Sequence, residues 1–375
     1  MEPVKPDYAG ASLAGVVPLL LGTRQSGHGG DWLPEPVTGA RAVVLLVLDG
    51  LGWEGLRAHP ARTPELHAMT GGPITTVVPS TTPVALTSLT TGTAPARHGI
   101  TGFRMRQEHT VLDTIKWHQA DGRRAPDPTL IQKMDPFLGR HVPVVTRALF
   151  RTTGFTTAHL RGCDFRGWYT PSTLVERVRV AVGEGAPFVY AYYPGVDEVA
   201  HAFGLEDAYF PAELAAADAL VGALLDAVAP DVAVVVTADH GQVQVGPDGW
   251  LGLGPLDPMV EIYAGDGRFR YLHARKGAKR ELFEEAERLH GRGPDAHAWV
   301  MTRDELLDGG WLGRDPLGPT RARVGDVVLA ARTGVGFVDP GLPREAQLMG
   351  AHGSLTPAEM WVPLVAARGR GDRAR

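Results

Sequence analysis

The stretch Val43–Asp49, VVLLVLD, is an unbroken apolar run that stops at an acidic side chain. An unbroken run of this length indicates a strand buried on both faces, which is typical of a parallel sheet. In an open parallel sheet the ligand site lies at the carboxyl ends of the strands. Asp49 is therefore a candidate functional residue, because packing alone does not require an aspartate at that point.

Two further apolar runs also end at polar residues. The run FVYAYY is followed by Asp197 and His201. The run VAVVVTA leads directly into Asp239 and His240, and near the C-terminus small residues surround His352. Carboxylates and imidazoles that converge on one edge of a sheet suit divalent metal ions, zinc first. The candidate metal ligands are therefore Asp49, Asp197, His201, Asp239, His240 and His352.

The alternation of strand-like and helix-like segments predicts an α/β fold, a doubly wound and mostly parallel sheet flanked by helices. Helices are expected over Pro171–Val182 and Pro211–Val228, and a short strand over Ile74–Val78. In the middle of the chain, Pro143–Phe150 is predicted as a short helix with proline at its first position. The stretch Thr156–Leu160 is predicted as a strand.

The segment from Gly246 to Arg332 has a different pattern. Strand-like Arg268–Ala274 is followed by a charged, helix-like Lys279–His290 and by two further strand-like runs. This pattern predicts a small inserted α+β lobe over residues 246–332. The metal-dependent catalytic α/β domain would then comprise residues 1–245 and 333–375.

Composition limits the classes of partner. The 375 residues include 37 basic and 42 acidic side chains, a net charge of −5, and both signs are mixed along the chain. No basic footprint for nucleic acid or anionic lipid results from this. The single cysteine, Cys163, excludes an intrachain disulfide and fits a reducing compartment. No apolar stretch is long enough to span a membrane, and the first residues do not resemble a signal peptide. We therefore expect a cytoplasmic protein that binds neither membranes nor nucleic acid, and the oligomeric state is left open.

Thr82 is the candidate nucleophile. Thr82 followed by Pro83 is typical of a helix N-cap with proline at the first helical position. Free N–H groups at a helix N-terminus favour phosphate and an alkoxide, and a metal-bound hydroxyl loses its proton far more easily than one in water. Thr82 could also do no more than cap the helix. Ser80 and Thr81 are close enough to remain alternatives.

The chain contains an ordered set of short motifs: Asp49-Gly50, Val78-Pro79-Ser80-Thr81-Thr82, Thr91-Gly92 with His98-Gly99-Ile100, Asp197 with His201, Asp239-His240-Gly241 and His352-Gly353. This set resembles the alkaline phosphatase superfamily, and within it the type I phosphodiesterase and nucleotide pyrophosphatase branch. Each short motif is common by chance, but the ordered set is specific and extends from residue 43 to residue 365. The resemblance implies an alkaline-phosphatase-like fold and the hydrolysis of phosphate esters.

The resemblance also implies two divalent metal ions, with zinc expected, and assigns their ligands. Thr82 would be the nucleophile that forms a covalent phosphothreonine. One ion would be held by Asp197, His201 and His352. The other would be held by Asp49, Asp239, His240 and the Thr82 oxygen.

Two positions depart from the pattern of the branch. Pro83 stands where nucleotide-cleaving members often carry an aromatic residue, and Ala85 stands where many carry an asparagine. A stacking wall for a nucleobase is therefore missing at Pro83. Arg104 and Arg106 are candidate contacts for a small anionic phosphate-ester substrate, although both could equally be solvated surface residues.

A phosphodiesterase is the favoured function, with other phosphotransfer chemistries as alternatives. A phosphomonoesterase or a phosphonate hydrolase would use the same ligands. The segment Asp49–Gly52 is also similar to cofactor-independent phosphoglycerate mutases, but their asparagine–serine context is missing. Cys163 lacks the following proline that a sulfatase needs. A different class is a non-catalytic, metal-stabilised binding protein, against which the complete ligand set argues.

Overall fold

The structure is a computed structural model that describes residues 1–22, 30–294, 296–316 and 318–371. Strands and helices alternate through most of the described chain. The strands are Ala42–Leu48 (β1), Thr70–Thr75 (β2), Arg104–Gln107 (β3), Thr110–Asp113 (β4), His118–Gln119 (β5), Pro143–Arg147 (β6), Asp164–Trp168 (β7), Phe188–Tyr193 (β8), Val232–Thr237 (β9), Val243–Gln244 (β10), Trp250–Leu251 (β11), Val260–Gly265 (β12), Phe269–Ala274 (β13), Ala298–Thr302 (β14), Val327–Ala331 (β15), Gly336–Phe337 (β16), Gly350–Ala351 (β17) and Trp361–Arg368 (β18).

The helices range from one turn to five turns. They are Leu13–Leu20 (α1), Trp53–Ala58 (α2), Pro64–Ala68 (α3), Thr82–Thr91 (α4), Pro95–His98 (α5), Pro128–Ile131 (α6), Gly154–Leu160 (α7), Pro171–Gly183 (α8), Gly195–Phe203 (α9), Tyr209–Ala227 (α10), Lys279–Ala286 (α11), Arg303–Asp308 (α12), Gly318–Arg323 (α13) and Pro357–Met360 (α14). Among the described residues, no helix combines the length and the apolar composition needed to cross a bilayer.

The main sheet has seven strands in the order β2-β18-β9-β1-β8-β6-β7. Strands β9, β1, β8, β6 and β7 run parallel to one another, whereas β18 is antiparallel to both of its neighbours. Every residue of β1 and β9 is buried, because both faces of these central strands are covered. The predicted α/β fold with a mostly parallel sheet is therefore confirmed.

Two sequence-based predictions of element type were wrong, and the strand expected over Ile74–Val78 instead spans Thr70–Thr75. Pro143–Arg147 forms β6 rather than a helix, because its β-branched residues pair with β7 and β8 in the parallel sheet and proline is tolerated at the first strand position. Thr156–Leu160 belongs to helix α7 rather than to a strand. The hydroxyl of Thr153 caps this helix by accepting from the backbone N–H of Thr156 at 3.1 Å.

A second seven-stranded sheet has the order β14-β15-β13-β12-β3-β4-β5, and its strand pairs are antiparallel. It combines strands from the segment predicted as a lobe with β3–β5, which lie much earlier, at residues 104–119. The helix predicted over Lys279–His290 ends at Ala286 and continues as a π-helical turn, Glu287–Gly291. The domain bounds 246 and 332 stay a prediction.

A buried ion pair ties the second sheet to the loop that carries His352. Arg268, next to β13, donates from Nε and Nη2 to the two carboxylate oxygens of Glu359, each at 2.8 Å. The same carboxylate accepts the backbone N–H of Ser354 at 2.8 Å. Because both charged side chains are fully buried, this bidentate pair holds the loop in one geometry.

Candidate active site

A cleft of about 430 Å³ opens at the carboxyl ends of the central parallel strands. Asp49 follows β1 directly, Asp239 lies two residues after β9, and Asp197 lies in the first turn of α9, just after β8. Because β9, β1 and β8 are neighbours in the sheet, their carboxyl ends bring these three aspartates to one edge. Two carboxylate–histidine groups result, each with ligand atoms within 4.8 Å of one another.

The first group consists of Asp49, Asp239 and His240, and we call it the buried group. His240 Nε2 lies 3.5 Å from Asp49 Oδ1 and 3.3 Å from Asp239 Oδ2. Within the described chain, neither of these two carboxylate oxygens has a hydrogen-bond partner, although both are buried. A buried carboxylate oxygen without a donor is costly unless a cation neutralises it. Three converging atoms of this kind fit a divalent metal ion.

The second group consists of Asp197, His201 and His352, and we call it the half-exposed group. His201 Nε2 lies 3.3 Å and His352 Nε2 lies 3.7 Å from Asp197 Oδ1. Asp197 and His201 lie four positions apart in α9, so their side chains share one face of the helix. His352 arrives from the loop after β17, and its ring stacks on that of His240 with 3.5 Å between centroids.

Backbone carbonyls hold all three imidazoles in one tautomer. The Nδ1 atoms of His240, His201 and His352 lie 3.0, 2.8 and 3.0 Å from the carbonyl oxygens of Gly241, Gly350 and Ser80. A carbonyl can only accept, so each Nδ1 carries a hydrogen and Nε2 is the ring atom that is left to bind a ligand in the cleft. Metal-ligating histidines are oriented in this way in many proteins.

Burial makes the charges of these groups unfavourable without a cation. Burial raises the pKa of Asp49 well above its ordinary value, and the nearby charges of Asp239 and Asp197 raise this pKa further. The pKa of Asp239 is also raised, chiefly by burial. Burial, followed by the charges of His240 and His201, lowers the pKa of the His352 imidazole well below its ordinary value. A bound divalent cation would favour the ligating form of each of these side chains.

Thr82 lies at the start of α4, and its hydroxyl faces the buried group. Thr82 Oγ1 is 3.0 Å from His240 Nε2, and the residue is only partly buried, so a substrate can reach it. The helix begins at Thr82, which makes Thr81 the N-cap and Pro83 the second helical residue. The prediction that Thr82 is the N-cap was therefore wrong by one position, because Thr81 still has an extended backbone.

The two preceding hydroxyls are committed to other partners. Ser80 Oγ donates to the carbonyl of Ser354 at 2.7 Å, and Thr81 Oγ1 donates to Asp266 Oδ1 at 2.8 Å. Both residues are buried. Of the three adjacent hydroxyls, only that of Thr82 is directed towards the carboxylate–histidine groups.

Two residues that support the ligands were missed at the sequence level. The phenolic O–H of Tyr192 donates to Asp49 Oδ2, and the side-chain amide of Gln242 donates to Asp197 Oδ1. Tyr192 reads as an ordinary strand residue, and nothing in its spacing separates it from Tyr190 on the same face of the strand. Gln242 lies two residues after His240, so proximity to that motif was the only signal available.

The two arginines proposed as substrate contacts lie in β3, in the second sheet. Arg104 Nε is 3.3 Å from Asp339 Oδ2 in a buried ion pair. Arg106 donates from Nε to the carbonyl of Glu108 at 2.9 Å and lies beside His273. Neither arginine lines the cleft, whose cationic side chains are Lys116 and Arg344. The substrate-binding role of Arg104 and Arg106 stays a prediction.

The model of the type I phosphodiesterase / nucleotide pyrophosphatase family matches residues 43–355 of the chain. The chain belongs to this family. It is accordingly a hydrolase that acts on phosphoric ester bonds, in a metal-dependent family whose chemistry the two carboxylate–histidine groups suit. No curated protein matches the chain by sequence.

Solved structures of murine and human ectonucleotide pyrophosphatase / phosphodiesterase 5 share the fold. The murine enzyme has a TM-score of 0.65 and 16% identity, covering 88% of this chain and 90% of that one. An inactive threonine-to-alanine variant of the murine enzyme, in complex with AMP, has a TM-score of 0.64 and 16% identity, with 88% of both chains covered. The human enzyme has a TM-score of 0.62 and 15% identity, with 88% of both chains covered.

Proposed function

We propose that the chain is a phosphodiesterase that acts through a covalent phosphothreonine at Thr82, with two zinc ions held by the buried and half-exposed groups. One observation carries this proposal: the Thr82 hydroxyl is the accessible nucleophile beside His240, while the hydroxyls of Ser80 and Thr81 are bound elsewhere. A hydroxyl next to a dense set of metal-ligand atoms is the arrangement that nucleophilic phosphoryl transfer requires.

The donor atoms favour zinc. Each group offers imidazole nitrogen and carboxylate oxygen, and the histidines present Nε2 because their Nδ1 atoms are bound to carbonyls. When bound, such ions lower the pKa of a coordinated hydroxyl and neutralise charge on phosphoryl and leaving oxygens. Thr82 Oγ1 would complete the ligands of the buried group, since it already lies 3.0 Å from His240 Nε2.

The reaction balances as two displacements at phosphorus. Thr82 Oγ1 releases its proton to solvent and bonds to phosphorus, while the bond from phosphorus to the leaving alcohol breaks and that alcohol takes up a proton. Water then attacks phosphorus, the Oγ1–phosphorus bond breaks, and the Thr82 hydroxyl is restored. The products are one alcohol and one phosphomonoester. The N-terminal N–H groups of α4 favour the charge that develops on the phosphoryl oxygens.

The substrate is a small anionic phosphate ester. The family name and the AMP complex of the murine relative support nucleotide-like esters, whereas Pro83 removes the aromatic wall expected beside a nucleobase. Hydrolysis of phosphomonoesters or phosphonates would require the same metal-ligand atoms, so these are the alternative substrate classes to assay. The cytoplasmic location predicted from composition stays a prediction.

The decisive experiment replaces the nucleophile. Thr82→Ala is expected to reduce turnover of bis-p-nitrophenyl phosphate by roughly 10⁴-fold or more, the order found when a nucleophile is deleted. Metal content, measured by elemental analysis, should stay close to that of the wild type, because six protein ligands remain. Mass spectrometry of the acid-quenched wild-type reaction should find phosphate on the peptide that contains Thr82.

Thr81→Val is the matched control, because it removes a neighbouring hydroxyl that faces Asp266 instead of the ligand groups. It should keep most of the turnover. Equal rates for Thr82→Ala and the wild type would end the covalent mechanism. An inactive Thr81→Val together with an active Thr82→Ala would show that Thr81, not Thr82, is the nucleophile. A p-nitrophenyl phosphate rate above that of the diester would identify a monoesterase.

A further inference from the structure

A second cavity of about 250 Å³ adjoins the cleft at Thr82. It lies between the start of α4, the ends of β6 and β8, and helix α7. Thr82, Ile115, Lys116, Phe150 and Tyr192 line both cavities, so the two spaces meet beside the nucleophile. The walls of the second cavity are largely apolar, formed by Leu86, Leu149, Phe150, Phe155, Leu160 and Tyr190.

The helix geometry joins this apolar wall to the nucleophile. Leu86 follows Thr82 by four residues in α4, so the two side chains lie one above the other on one face. Leu149 also lines this cavity and is 66% exposed, so it lies where the cavity opens to solvent. An apolar pocket that opens directly beside a reactive hydroxyl is suited to hold part of a substrate.

The polar side chains of this pocket are uncharged, apart from Lys116 at the shared rim. Burial lowers the pKa of His159 to about 4, so the ring is neutral, and its Nδ1–H donates to the carbonyl of Phe155 at 2.7 Å. The hydroxyl of Thr153 donates to that of Thr156 at 2.9 Å. Because His159 is neutral and Lys116 lies at the rim shared with the cleft, the interior of the pocket carries no charge and favours an apolar group over a charged one.

In-line chemistry determines which part of a diester can enter. The attacking oxygen and the leaving oxygen lie on opposite sides of phosphorus. A group that is seated beside Thr82 therefore cannot be the leaving group, which departs from the far side. The pocket is left for the ester group that remains on phosphorus when the phosphothreonine forms.

We propose that this pocket binds the retained ester group, and that this group is an uncharged aromatic or short aliphatic one. The proposal rests on the phosphodiesterase function proposed above and names its substrate class. The volume of about 250 Å³ is below the roughly 300–1,000 Å³ of pockets for drug-sized ligands, which suits one ring or a short chain.

The test varies the retained group and keeps p-nitrophenol as the common leaving group. The phenyl diester is expected to have a kcat/KM at least about tenfold above that of the methyl diester, since even one methylene in an apolar pocket is worth about that factor. A thymidine diester should be a poorer substrate than the phenyl diester. Equal values for phenyl and methyl, or a thymidine diester that exceeds the phenyl diester, would overturn the proposal.

Leu149→Asp places a charge at the mouth of the pocket, and its high exposure makes misfolding improbable as an explanation. This variant should reduce the phenyl-to-methyl ratio of kcat/KM to near one. Leu130→Asp is the matched control, because Leu130 is also 66% exposed but lies outside the pocket lining. The control should keep the wild-type ratio, and an unchanged ratio in Leu149→Asp would refute the placement of the retained group.

A binding measurement separates this proposal from the proposed function. If neither the phenyl nor the methyl diester is hydrolysed, the phosphodiesterase function fails. Calorimetry then measures the affinities of phenylphosphonate and methylphosphonate for the zinc-loaded wild type and for Leu149→Asp. These affinities test whether the pocket binds an apolar group, independently of catalysis. Tighter binding of phenylphosphonate that is lost in Leu149→Asp supports the pocket, and equal affinities overturn it.

Discussion

The two carboxylate–histidine groups of the cleft use the same side-chain types but differ in burial. The side chains of Asp49, Asp239 and His240 are at most 2% exposed, whereas those of Asp197 and His201 are 14% and 24% exposed. An ion in the buried group would be shielded from water, and its removal would leave unpaired charges in the interior. An ion in the half-exposed group would keep contact with solvent. The buried group should therefore hold its ion more tightly and exchange it more slowly.

Among substitutions that compare the two groups, the largest effect is expected from a carboxylate of the buried group. Asp239→Asn removes a carboxylate charge at a site with no exposure, so we expect the loss of at least one ion. Diester turnover should fall by more than about 100-fold, because loss of a residue that only orients a metal ligand already costs about 10–100-fold. Elemental analysis and kinetics would check this. Asp231→Asn is the control, an exposed aspartate that lies before β9 and pairs with Arg41. Normal metal content in Asp239→Asn would show that the buried group is not a metal site.

A smaller effect is expected from the half-exposed group. His201→Ala should lose the ion of that group and keep the ion of the buried group, because the two groups share no ligand. When the wild type is treated with a chelator, metal analysis over time should show that the ion of the half-exposed group is lost before the ion of the buried group. His141→Ala serves as the control, since this exposed histidine also bonds a carbonyl through Nδ1, at 2.7 Å from Gly162. Loss of both ions from His201→Ala would mean that the groups bind cooperatively.

The smallest effect is expected from a residue that touches a ligand but no metal. Tyr192→Phe removes the O–H that donates to Asp49, and we expect roughly 10–100-fold weaker binding of zinc at the buried group. Competition with a chromophoric chelator would measure this. Tyr190→Phe is the matched control on the same strand, because the Tyr190 hydroxyl is buried without a partner in the described chain. Similar zinc affinities for the two variants would indicate that Tyr192 does not support the ligand.

The central strands of the main sheet and the polar residues that follow them could be predicted because their signals are local, whereas the division of those residues into two groups came from the family resemblance. The apolar runs before Asp49 and Asp239 mark central strands, and the rule that parallel strands carry sites at their carboxyl ends places the next polar residue. Asp197 and His201 likewise follow a single apolar run, and their spacing of four residues suits one face of a helical turn. In each case a short segment contains both the structural signal and the functional residue.

Where local signals conflicted, the predictions failed. The segment Pro143–Arg147 begins with a proline that suits a helix start, but β-sheet pairing on both sides decided the outcome. The threonines of α7 favour a strand by propensity, yet the cap at Thr153 and burial of one helical face outweigh them. The second sheet joins β3–β5 to strands more than a hundred residues later, which no local pattern reveals.

The sequence by itself determined which strands are central and which aspartates and histidines follow them, and it predicted the short segment that would supply the nucleophile. Only the tertiary structure shows how the hydroxyls of Ser80, Thr81 and Thr82 differ, because the partners of the first two, Ser354 and Asp266, are distant in sequence. The apolar pocket beside Thr82 likewise arises from segments that meet only in the fold. Side-chain type and strand pattern are local properties, whereas hydrogen-bond partners and cavities are created by long-range packing.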